Sequence, residues 1–196
     1  HLMSSLYDIA WLLNVRGGDI SYVPVVLSYL AISEDSCIWF LQEEVMTDAL
    51  KAYLDKNGIQ TRPYDDFYEY VKHIDEKETV LLDTSVVNYR ICSSLPKGVK
   101  VIDSEDPAVV MKAVKNEVQL ENLRKAHLKD AVAMCRFMYW LKTNIGKIPM
   151  TEISASDYLA SLRAEQEGFL DLSFATICGY ADHGAIVHYS ATEESD

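Results

Sequence analysis

Phe174-Ala175-Thr176-Ile177-Cys178-Gly179-Tyr180-Ala181-Asp182-His183-Gly184-Ala185-Ile186-Val187-His188-Tyr189 sets two short apolar, β-branched runs on either side of a turn-forming Ala-Asp-His-Gly. That pattern predicts a β-hairpin. Strand alternation then puts Ile186 and His188 on one face, and Val187 and Tyr189 on the other. A titratable imidazole on a stiff strand can be aimed. A lone strand histidine is nonetheless more often a packed or hydrogen-bonded structural residue, and spacing alone favours that role for His188.

Working back from the hairpin, Thr151 caps a helix to about Glu167, with Ile153, Tyr158 and Leu162 inward and Gly168 as its stop. Before it lies the longest periodic stretch, Glu117 to Ile145. Leu120, Leu123, His127, Ala131, Met134, Met138, Leu141 and Ile145 recur at three and four residues and predict the buried stripe of a docked helix. A coiled coil is the rival, but His127 and Ala131 dilute its seam. On this stripe His127 is a structural residue. Asp106-Pro107 marks another helix start, with the cap followed by proline at the first helical position.

The first hundred residues alternate short elements. Ile9 to Val15 reads as a buried strand, then Arg16-Gly17-Gly18-Asp19 as a flexible loop. Val23 to Ile32 and Cys37 to Leu41 predict strands joined by the polar turn Ser33-Glu34-Asp35-Ser36. Thr47 caps a helix stopped by Gly58, and Ile59 to Arg62 is a strand before Pro63. A helix over Asp65 to His73 turns Phe67, Tyr70 and Val71 inward, with His73 a favourable partner for its C-terminal dipole. Thr79 to Asp83 and Val99 to Ile102 are strands around a helix over Val86 to Ser94. The fold class is α/β with a mixed sheet and flanking helices over residues 1–106, then long helices and a β-hairpin over 107–196.

The 196 residues carry a net charge of −12 and 49% apolar content, which suits a folded core and argues against nucleic-acid or anionic-membrane partners. No apolar run reaches membrane-spanning length. Cys37, Cys92, Cys135 and Cys178 form no Cys-x-x-Cys and read as reduced core thiols of a cytoplasmic protein. Trp11, Trp39 and Trp140 read as core aromatics. There is no Gly-x-Ser-x-Gly elbow, no phosphate loop and no dinucleotide fingerprint. His183 and His188, with Asp182 and Asp171 nearby, are weakly spaced for chelation, so no metal site is expected here.

Asp171-Leu172-Ser173-Phe174-Ala175-Thr176-Ile177 followed by Gly184-Ala185-Ile186-Val187-His188-Tyr189 resembles the catalytic-domain entry of the Xaa-Pro aminopeptidases, the pita-bread metallopeptidases. That family has Ser-Phe-x-Thr-Ile, a turn, then Ala-Ile-x-His-Tyr. The turn itself differs, with Ala181-Asp182-His183 where the family often has Gly-Pro-Asn. Asp8 to Gly17, with Asp19-Ile20, Pro24 and Ser28-Tyr29, resembles the second domain of the three-domain enzymes, which has the creatinase amino-terminal fold. Met111 to Val118 and Leu123 to His127 resemble the junction into the catalytic domain.

The resemblance implies a fragment of an enzyme that removes the N-terminal residue from peptides with proline second. It implies two divalent metals, commonly manganese, in the parent enzyme and none in this chain, since the family's five ligands lie downstream of the Ala-Ile-x-His-Tyr strand. It gives His188 a place in the substrate pocket. It gives the Arg16-Gly17-Gly18-Asp19 loop a part in limiting entry, against the plainer role of a strand connector. A homo-oligomer is expected, and self-association through Ile177, Ile186 and Val187. The alternative is a non-catalytic binding or oligomerisation module with the creatinase-type fold.

Overall fold

The computed structural model describes residues 1–195. They form two units, His1–Val114 and a second that begins at Lys115.

In the first unit β1 (Leu2–Met3), β2 (Ser28–Ile32), β3 (Cys37–Leu41) and β4 (Ile59–Pro63) lie side by side in that order. The first three are antiparallel neighbours, and β3 and β4 run parallel. A two-stranded parallel sheet pairs β5 (Thr79–Leu82) with β6 (Lys100–Asp103). The helices are α1 (Leu6–Leu13), α2 (Asp48–Lys56), α3 (Phe67–Lys72), α4 (Tyr89–Ser94) and α5 (Pro107–Ala113). The mixed sheet with flanking helices is therefore present.

Period-2 alternation divides β2 and β3 between two cores. Leu30, Trp39 and Leu41 meet Ile9, Leu13 and Leu54 on one side. Tyr29, Ala31, Ile38 and Phe40 meet Phe67, Val71 and Ile91 on the other. Both faces are covered, which is why these strands read as continuous apolar runs.

Local signals fix most boundaries. Thr47 Oγ1 accepts from the Leu50 amide at 3.1 Å, and Gly58 takes φ +69° just past α2. Thr47→Ala should lower stability by about 1 kcal/mol, read by urea denaturation. Asp106 Oδ1 caps α5 through the Ala108 amide at 2.8 Å.

Two expected strands differ. Ile9–Val15 lies mostly in α1, whose Ile9, Ala10 and Leu13 are buried at helical spacing. A short apolar run serves either element, and here docking against the sheet decides. Of the strand expected over Val23–Ile32, only Ser28–Ile32 pairs within the sheet. The preceding residues fold back as a loop, with Asp19 Oδ2 accepting from the Leu27 amide at 2.7 Å.

The second unit is built on α6 (Glu117–Asn144) and α7 (Glu152–Ala164), each opened by a reciprocal capping box, Asn116 with Gln119 and Thr151 with Ser154. The covered face of α6 is shifted from the expected stripe, of which Leu120, Met134 and Leu141 remain half-buried. Ala133 is buried, and Trp140 lies 4.2 Å from Tyr158 of α7 between ring centroids. Leu123, Met138 and Ile145 are exposed. Arg163 Nε donates to Asp130 at 2.7 Å across the pair. A small residue at 133 lets α7 approach there, and flanking aromatics cover the gap. His127 is exposed, so it is not a core residue. Of the expected core thiols, Cys37 and Cys92 are half-buried and pack against the two cores, Cys178 is half-buried and Cys135 is exposed.

α5 packs on α1, and the first compact unit runs to Val114. No helix of the described residues is long and apolar enough to cross a membrane.

Candidate functional site

The hairpin expected over 174–189 is absent. Among the described residues this segment holds no strand, and its regular piece is a 3₁₀ turn, Ala181–Ala185. Ala181 and His188 adopt φ of 50° and 56°, a region uncommon for residues with a Cβ and incompatible with a strand. His188 is exposed and belongs to no alternating face. An isolated two-stranded ribbon is marginal in water, and this segment finds a stronger partner in a buried carboxylate.

That carboxylate is Glu152, the first residue of α7, only 6% exposed. It accepts from the Tyr180 amide. His183 Nδ1 lies 3.0 and 3.1 Å from its two oxygens. The Tyr189 hydroxyl donates to Oε2 at 2.6 Å and lies 3.0 Å from Ser195 Oγ. The His183 and Tyr189 rings lie 4.7 Å apart between centroids. Gly179 lets the turn close, since a Cβ there would sit 3.0 Å from the Gly184 backbone.

Burial pushes the Glu152 carboxyl up. The Tyr189, Tyr180 and His183 donors outweigh it and hold the pKa below the ordinary 4.5. The sign follows: a depressed folded pKa contributes stability that is present above 4.5 and lost as pH falls through the folded value. Proteolysis of residues 174–189 should therefore accelerate below about pH 4.

The Arg16-Gly17-Gly18-Asp19 loop is turned in on its own unit. Arg16 Nη1 donates to the Ala10 and Val15 carbonyls at 2.9 and 2.8 Å. A Cβ on Gly17 would meet Val26 Cγ2 at 2.5 Å and the Val25 carbonyl oxygen at 2.9 Å, while Gly18 faces open space. Gly17→Ala should cost about 1–3 kcal/mol in urea denaturation, and Gly18→Ala should be near neutral.

Two features escaped the sequence. Asp8 is 3% exposed inside α1, and Lys112 Nζ of α5 donates to its Oδ1. Nearby Asp106 is 8% exposed, with His1 Nε2 at 3.6 Å. Burial raises the Asp106 pKa, the Ala108 amide opposes this, and the Asp8 and Asp83 charges add to it. Reading Ile9–Val15 as a helix would have exposed Asp8 as a lone charge on an apolar element. Glu152 has only the signature of a first-turn acid, with no local sign of burial.

The described residues hold no group of three or more His, Cys, Asp or Glu able to bind a metal ion. His183 faces Glu152 and His188 faces solvent.

Residues 1–119 match the creatinase/prolidase N-terminal domain, and residues 121–195 match metallopeptidase family M24. A probable Xaa-Pro aminopeptidase P of Sordaria macrospora is 35% identical over 96% of this chain and 32% of its own length. Xaa-Pro aminopeptidase 1 of Dictyostelium discoideum is 35% identical over 98% of this chain and 31% of its own. The crystal structure of X-prolyl aminopeptidase from Caenorhabditis elegans, described as a cytosolic enzyme with a di-nuclear active site, superposes with a TM-score of 0.89. It is 30% identical and covers 99% of this chain and 32% of that one. The chain thus spans about a third of the length of these relatives.

Proposed function

Because the chain belongs to the creatinase/prolidase N-terminal domain family, we propose that it is part of a metal-dependent aminopeptidase that removes the N-terminal residue from peptides with proline second. The observation that carries this is the 0.89 superposition on X-prolyl aminopeptidase along 99% of the chain at 30% identity. The chemistry of such an enzyme draws on two divalent ions, proposed to be manganese, that polarise the scissile carbonyl and acidify a bound water. Among the described residues no three His, Cys, Asp or Glu side chains are gathered as a metal site. What this chain contributes is recognition.

His188, exposed and next to the anchored Tyr189, hydrogen-bonds substrate beside the scissile bond, a role suited to a group that both donates and accepts. The Arg16-Gly17-Gly18-Asp19 loop, internally braced but open at Gly18, limits entry to small peptides. A cytoplasmic homo-oligomer is the proposed setting.

The test is the longer protein that contains this chain, assayed on Xaa-Pro and Xaa-Ala peptides. Cleavage confined to Xaa-Pro is expected. His188→Ala should lower kcat/KM about 100-fold with metal content unchanged. Metal loss in that variant, or no preference for proline, would overturn the assignment.

A further inference from the structure

We propose that Glu152 is a positioning residue that holds the segment bearing His188 in register on α7, an inference that rests on the peptidase role given to His188. Its two oxygens gather donors from residues 180, 183 and 189, which lie at and on both sides of the 3₁₀ turn. One carboxylate therefore closes a ten-residue loop that has no strand pairing of its own. Tyr189 is 9% exposed and adjoins His188, so fixing the phenol fixes the backbone from which the imidazole projects. Glu152 stands on the first turn of a 13-residue helix opened by a capping box, a rigid base for such a clamp. Ser195 Oγ, 3.0 Å from the Tyr189 hydroxyl, extends the network. The His188 backbone has a left-handed φ of 56°, a conformation that persists when its surroundings over-determine it.

Glutamine at 152 keeps the size and one acceptor oxygen, but its amide nitrogen cannot accept from His183 or Tyr189. In this chain, Glu152→Gln should speed amide hydrogen exchange over residues 180–189 about tenfold or more and leave α6 amides unchanged. Tyr189→Phe should give a smaller effect on the same amides. In the longer protein, Glu152→Gln should lower kcat about tenfold with KM nearly unchanged, and the Glu152→Gln, His188→Ala double variant should be no slower than His188→Ala alone. Unchanged exchange over 180–189, or additive losses in the double variant, would overturn the positioning role. If instead His188→Ala leaves turnover intact while Glu152→Gln still loosens the segment, the clamp stands and the role given to His188 fails.

Discussion

Phe67→Ala should lower the stability of residues 1–114 by about 3–5 kcal/mol, where a typical domain has about 5–15 kcal/mol in all. Phe67 is fully buried and stacks on Tyr29 at 4.2 Å and 7° between planes. It also meets Phe40 edge-on at 5.1 Å and 73°. Removing the ring leaves a cavity between α3 and two strands that cannot close, because β2 is pinned on both sides by its ladders. The Tyr29 hydroxyl reports the damage. It lies 2.9 Å from the Tyr68 hydroxyl and 3.4 Å from that of Tyr64, and burial first, then these hydrogen bonds, raise its pKa. In the variant it should ionise at lower pH in an absorbance titration. Urea denaturation in a Trp140→Phe background follows the first unit through Trp11 and Trp39. A loss under about 1 kcal/mol would mean that the aromatic cluster is not the keystone of this core.

Lys112→Ala should cost about 3 kcal/mol, since removing one partner strands a buried charge. The Asp8 side chain is 4% exposed and that of Lys112 is 32%, so water reaches the amine but hardly the carboxylate. The Asp8→Leu, Lys112→Met pair should recover most of the loss, because the penalty belongs to the orphaned anion rather than to the missing attraction. Asp106 adds a pH arm. Its raised pKa favours the protonated form, so its contribution is complete below the ordinary 3.8 and is lost as pH rises through the folded value. This is opposite in sign to Glu152. Lys112→Ala removes a cation that opposes the Asp106 shift, so its deficit in urea should shrink as pH falls toward 4.

Helix and strand ends were largely readable because their causes are local. Thr47, Asp106-Pro107 and Thr151 act within three residues, and Gly58 follows α2 with its own positive φ, whereas α7 ends at Ala164, four residues before Gly168. Ile9–Val15 reads as a strand because its solvent side carries half-buried Trp11 and exposed Leu12, and these apolar residues mask the helical spacing of buried Ile9, Ala10 and Leu13. The face of α6 was misplaced because Ala133 carries little hydrophobic signal, yet its smallness admits α7. Position 188 was legible through resemblance, but its surroundings were not. Donors from Tyr180, His183 and Tyr189 to Glu152, at separations of 28 to 37 residues, override the strand preference of Ile186 and Val187.

The outer strand β4 bears on how such a chain keeps in solution. Gln60, Thr61, Arg62 and Pro63 are all exposed along it, with β3 bonded on one side only. Proline has no amide hydrogen to offer a newcomer, and the guanidinium repels a matching copy. Stacking of identical molecules into a growing ribbon is thus blocked at this border by its composition.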